Sequence, residues 1–167
     1  GLVWRAPSPN LQRPEQALLY PAVALVEGTN VSVGRGTTQA FEVLGAPFVD
    51  AERLVELLRA EELSGVQLAT THFTPRAGPH AGTRLHGVLF RITDPRTFKA
   101  APLGLAIAQA LAELSPDAWD ATRLERMLAH AATLRGMHSR TPTAALISAW
   151  RADLETFAAS RSRALLY

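Results

Sequence analysis

The sequence predicts an α+β fold: a small mixed sheet with helices packed on it and a helical C-terminal half. Three observations lead there. Strand-like runs are confined to residues 22–92. One helical pattern interrupts them after Asp50. From Pro102 onward only helical periodicity is found.

The elements follow in order. Pro7, Pro9 and Pro14 punctuate the first twenty residues, and Ser8 or Asn10 is placed to cap a short turn leading to Ala17, Leu18 and Leu19. Residues 1–20 therefore read as a linker arriving from something upstream, and residues 21–167 as a single domain. Strands are expected at Ala22–Val26, Phe41–Leu44, Val66–Phe73 and Leu85–Ile92. In the last, Val88, Phe90 and Ile92 alternate with Leu89 and Arg91, the period of a half-buried strand. Asp50 is a good N-cap, with Glu52 in the first turn behind it. Leu54, Leu57 and Leu58 give that helix its apolar face, and Ser64-Gly65 is its expected stop. Asp94-Pro95 marks a turn or a helix start. Leu103, Ile107 and Leu111 mark a helix ended by Ser115-Pro116. A further helical piece is expected over Asp120–Leu134, with Leu124, Met127 and Leu128 inward. The last helix is expected from Thr141-Pro142, with Leu146, Trp150, Leu154 and Phe157 as a core stripe.

Composition excludes several function classes. With 47% apolar and 19% charged residues in 167, the chain can bury a core. Its apolar runs fall short of the ~18 residues a membrane span needs. The opening GLVWRAPSPN lacks a basic stretch followed by an apolar one, so no signal peptide is read there. The chain can still be a mature or excised piece of an exported protein. Sixteen arginines and a single lysine, Lys99, give a formal charge of +2. They are scattered, without the basic stripe and interleaved aromatics of a nucleic-acid surface, so no nucleic-acid partner is expected. The absence of cysteine excludes disulfides, zinc–thiolate sites and thiol nucleophiles, and leaves the compartment open.

The densest polar stretch is EGTNVSVGRGT, residues 27–37. It is not a P-loop. Gly28 and Gly34 are one residue too far apart, and Arg35-Gly36 stands where Lys-Ser/Thr is required. The dinucleotide fingerprint also breaks, because Gly34 and Gly36 are followed by Gln39. What remains is a glycine-shaped loop presenting Glu27, Asn30, Ser32 and Arg35. Those side chains can bind a polyhydroxylated or anionic ligand. Equally, Glu27 and Arg35 can pair internally while Asn30 supports the turn. Asn30-Val31-Ser32 also matches a glycosylation sequon. His72, His80 and His86 lack the tight pairing or nearby carboxylates of a metal site, so no metal and no cofactor are expected. His72 and His86 can line a cleft if their strands are neighbours, and His130 and His138 read as surface residues. No G-x-S-x-G elbow is present.

Several segments carry a resemblance: PSPN (7–10), LLYPAVALVEGTNVSVGRGTTQAFEVLGAPFVD (18–50), HFTP (72–75), AG (81–82) and HGVLFRITD (86–94). Together with Trp150, Phe157 and the closing LLY (165–167), they resemble the C-terminal domain of the NamZ/YbbC-type bacterial proteins. The likeness is dense over residues 4–104 and thin over 115–140, a region shorter here than in many relatives. One departure is His86-Gly87-Val88, where relatives often carry a Cys-Gly-Gly-Val-like run. Members of the family are exo-β-N-acetylmuramidases that release terminal N-acetylmuramic acid from peptidoglycan fragments. The resemblance implies an upstream Rossmann-like domain, a cleft between the two domains, a peptidoglycan-derived sugar as ligand, and export to the periplasm or beyond. It makes Glu27 the catalytic carboxylate of this domain, or a group that only binds hydroxyls. Asn30 and Ser32 would bind N-acetyl or ring hydroxyl groups, with His72 beside them. Arg35 would meet the lactyl carboxylate, or hold Glu27 in place. A lone domain with one strong carboxylate would be inactive by itself, which keeps a non-catalytic sugar-binding module and a purely structural domain as alternatives.

Overall fold

The computed structural model describes residues 3–166. Three strands, β1 (Val43–Gly45), β2 (Val66–Phe73) and β3 (Leu85–Ile92), form one sheet in the order β1-β3-β2. Both pairings are antiparallel, with Leu44 opposite Val88 and His72 opposite His86. β2 and β3 occupy the expected residues. β1 begins later than expected because Phe41 takes a φ of 63° and returns its N–H to the Val33 carbonyl. That left-handed turn takes Phe41 out of the ladder.

The expected strand at Ala22–Val26 is absent. Helix α1 (Pro14–Val23) runs through it and tightens into a 3-10 turn at Ala24–Val26. Pro14 opens α1, and the Gln16 side-chain Oε1 accepts the backbone N–H groups of Gln12 and Arg13. A short apolar run carries no period of its own, so packing decides its form. Here α1 lies on α3 (Ala100–Leu114), and Gly104 admits the contact: a Cβ there would sit 3.0 Å from the Ala22 carbonyl oxygen. The expected domain boundary at residue 20 falls inside α1, where Gln16 and Leu19 are buried.

Helix α2 (Ala51–Ala60) is capped by Asp50, whose carboxylate accepts the Arg53 N–H at 3.0 Å. It ends before Ser64-Gly65, and Gly65 instead turns the chain into β2 at a φ of 73°. Leu54 and Leu58 of α2, Leu103, Ile107 and Leu111 of α3, and Val88 and Phe90 of β3 make the core with Leu19, Val26 and Leu44. Each such side chain contributes about 1.5–3 kcal/mol by leaving water.

The C-terminal half is helical but more broken than expected. The piece at Asp120–Leu134 is two helices, α4 (Leu124–Leu128) and α5 (Ala131–His138). They are parted by Ala129 in a left-handed conformation, and His130 caps α5 through the Thr133 N–H. Leu124 is buried, whereas Met127 is exposed. The last helix is also two, α6 (Thr143–Ala149) and α7 (Arg151–Ser162), with Pro142 rather than Thr141 at the N-cap. Trp150 marks the break and ties its indole N–H to Thr133 Oγ1 at 2.8 Å. Leu146 is buried, but Leu154 and Phe157 are 56% and 64% exposed, and α7 buries none of its residues. The stripe read as core is therefore a surface stripe beyond Trp150. Tyr167, the end of the LLY resemblance, lies outside the described residues.

Candidate functional site

The loop 27–37 leaves the 3-10 turn at Glu27 and is shaped by two glycines. Gly34 and Gly36 have φ of 73° and 76°. A Cβ on Gly34 would lie 2.5 Å from Val43 Cγ2, and one on Gly36 2.8 Å from Arg76 Cβ. The Arg35 carbonyl accepts the N–H groups of Arg76 at 3.2 Å and Ala77 at 3.3 Å. The loop is thus clasped against the segment that follows β2.

Within it, Glu27 and Arg35 form an ion pair through Oε1 and Nε, with both side chains half-buried. The hydrogen bond to Glu27 raises the Arg35 pKa above its ordinary value, against an opposing effect of burial. The Arg35 guanidinium carbon stands 5.3 Å from the centre of the Phe41 ring, a cation–π distance.

The other predicted residues do different work. Asn30 donates from Nδ2 to the Ala118 carbonyl and accepts the Asp120 N–H at Oδ1, both at 2.8 Å. Its amide is spent on holding the turn before α4. The Asn30 backbone carbonyl oxygen also meets His80 Nε2 at 2.8 Å. Ser32 is 1% exposed, exchanges backbone hydrogen bonds with Gly45, and accepts the Gly34 N–H at Oγ. Its hydroxyl faces the protein rather than solvent. His72 is exposed on β2 and stacks on His86 of β3, ring centres 4.4 Å apart and 12° from parallel. His86 Nε2 stands 3.6 Å from the Glu52 carboxylate. The structure thus brings Glu27 and Arg35 together, engages Asn30 and Ser32 in hydrogen bonds within the fold, and sets His72 on a surface shared with Gly36 and Thr37 of the loop.

That surface borders a cavity of about 550 Å³ whose lining includes Asn10, Thr37, Thr38, His72, Thr74 and Arg76. One of the lining residues, Thr38, is held by a network that the sequence reading did not anticipate. Glu42 is 8% exposed and paired with Arg13. Arg13 also donates to the Thr38 carbonyl at 3.3 Å, and Gln16 Nε2 to the same oxygen at 2.9 Å. Burial pushes the Glu42 carboxyl pKa up, and Arg13 opposes that rise without cancelling it. One signal was available: Glu42 is the lone charge in the apolar run AFEVLGAPFV. Among the described residues, no group of three or more His, Asp or Glu is placed to hold a metal ion.

Comparison with known proteins gives the family and the fold. Residues 18–167 match the family described as "Exo-beta-N-acetylmuramidase NamZ, C-terminal". The chain is 34% identical over 164 residues to the peptidoglycan β-N-acetylmuramidase NamZ of Bacillus subtilis, covering 96% of this chain and 40% of that protein. Two solved structures of DUF1343 family proteins from Bacteroides fragilis share the fold. One aligns with a TM-score of 0.83 at 24% identity, over 99% of this chain and 46% of its own. The other aligns with a TM-score of 0.74 at 26% identity, over 97% of this chain and 43% of its own. The chain therefore spans less than half the length of these relatives.

Proposed function

This chain belongs to the family of NamZ C-terminal domains, and on that footing we propose that it forms one wall of a cleft that binds terminal N-acetylmuramic acid of peptidoglycan fragments. The opposite wall is an upstream Rossmann-like domain. The observation that carries the reading is the half-exposed Glu27–Arg35 pair on a glycine-shaped loop clasped to the end of β2. A pair open to solvent on one side can trade part of its mutual contact for a ligand. Glu27 then accepts hydrogen bonds from sugar hydroxyls or acts on the glycosidic bond, and Arg35 holds it in place.

Glycoside hydrolysis generally needs two carboxyl groups flanking the bond. Glu42 is a poor second, because it is buried and occupied by Arg13. The second carboxyl group is assigned to the upstream domain, and this chain alone is expected to bind sugar without turning it over. Action on peptidoglycan fragments favours a parent protein exported beyond the cytoplasmic membrane over a cytoplasmic one. Among the described residues no helix is long and apolar enough to cross one.

The test is release of muramic acid from a chromogenic β-N-acetylmuramide, by this chain alone and by the chain joined to an upstream domain. Turnover by the joined protein only, lost in Glu27→Gln and weakened in Arg35→Ala, is the expected result. Turnover unaffected by either substitution overturns the site assignment.

A further inference from the structure

The Glu27–Arg35 pair is one end of a longer row of side chains. Arg35 lies over the Phe41 ring, and Tyr20 meets the same ring edge-on, centres 4.8 Å apart at 88°. Phe41 is 1% exposed, but Tyr20 is 40% exposed on α1. Tyr20 precedes Glu27 by seven residues along α1 and its 3-10 continuation. Seven residues are about two turns, so the two side chains leave the same side of the helix, roughly 10 Å apart along its axis. The row therefore runs Tyr20, Phe41, Arg35, Glu27: an exposed aromatic ring, a buried spacer, a guanidinium and a carboxylate.

Phe41 reaches its place at the cost of an unfavourable backbone. A φ of 63° is a genuine outlier for a bulky side chain. Such outliers persist where the surroundings over-determine them, and they gather at ligand sites. Here the turn seats one ring against both Tyr20 and Arg35.

We propose that Tyr20 is a stacking platform for the apolar face of a pyranose ring, with Phe41 as the positioning residue that fixes Tyr20 relative to Arg35. The inference rests on the functional reading above and adds to it the residue that takes the apolar face of the carboxylate-bearing sugar. The C–H face of the sugar lies on the exposed tyrosine, and the acid reaches toward the guanidinium on the other side of the Phe41 contact. An aromatic platform takes a sugar face through apolar contact and does not need the ring to be charged.

The experiment is an NMR titration of this chain with N-acetylmuramic acid and, separately, with uncharged N-acetylglucosamine. Tyr20→Leu is expected to weaken both sugars about three- to tenfold, the range an aromatic contact supplies. Tyr20→Phe keeps the ring and is expected to bind like the wild type. Arg35→Met is expected to weaken the acidic sugar more than the uncharged one. Unchanged melting temperature of the Tyr20 variants keeps the comparison one of binding. If the wild type binds and Tyr20→Leu binds equally well, the platform is wrong while the functional reading stands. If the wild type takes neither sugar, the functional reading falls, and the platform with it.

Discussion

Asn30 and Asp120 meet across ninety residues of sequence: the Asn30 Oδ1 accepts the Asp120 backbone N–H at 2.8 Å. The same amide donates to Ala118, so both of its ends are engaged in one turn. Asn30→Ala leaves a backbone donor and acceptor without this partner, and is expected to cost about 1–3 kcal/mol. Asn30→Asp keeps the acceptor but loses the donor, and should fall between. Urea denaturation of the three proteins checks this. A loss of sugar binding at unchanged stability would instead return Asn30 to the ligand.

Glu42 predicts a pH dependence. Its folded pKa is raised above the ordinary carboxylate value, chiefly by burial. The folded state therefore holds this proton at a pH where the unfolded state has released it. Stability from this group is fully present below the unfolded value and declines as pH rises from there through the folded one. Glu42→Gln removes the buried charge and keeps an oxygen for Arg13, so the decline should flatten. Arg13→Ala removes the opposing charge and should steepen it. Denaturation midpoints measured from pH 4 to 7 decide; a Glu42→Gln profile parallel to the wild type would sink the prediction.

The α6–α7 break makes opposite predictions for neighbouring apolar residues. Leu146 is buried, and Leu146→Ala should cost about 2–5 kcal/mol. Leu154→Ser and Phe157→Ser should stay within about 0.5 kcal/mol, as surface changes do. Thermal melting of the three variants of this chain is the measurement.

At the sheet, Gly45 and Gly87 face each other across β1 and β3. A Cβ on Gly87 would lie 2.2 Å from the Leu44 carbonyl oxygen, which is backbone and cannot step aside cheaply. Gly87→Ala should therefore cost at least the ~1–3 kcal/mol of overpacking. Faster hydrogen exchange at β1 than at β2 in the variant would locate the damage; equal exchange would count against it.

The fold was legible where one signal dominated. Alternation gave β3, Asp50 gave the start of α2, and Ser115-Pro116 gave the end of α3. Ala22–Val26 was not legible, because five apolar residues fit a strand and a buried helix equally. Leu154 and Phe157 share a helical period with Leu146, yet the break at Trp150 carries them off the body, and no periodicity reports a break. At the site, the internal pairing of Glu27 with Arg35 and the support role of Asn30 were both among the open readings. Ser32 and Glu42 escaped because burial of one polar residue depends on partners distant in sequence, Gly45 for the first and Arg13 for the second.

The strand order also sets an expected sequence of folding events. β2 and β3 are joined by residues 74–84 and pair directly, so they can close early. β1 must take the far edge of β3 with all of α2 intervening, and closing longer loops costs more entropy before contacts return it. The hairpin is therefore the expected nucleus and β1 a late arrival. Destabilising β2 or β3 should slow refolding, whereas loosening β1 should chiefly hasten unfolding. The loop that starts at Glu27, bridged to β1 through Ser32 and Gly45, would then be among the last parts to settle and the first to open.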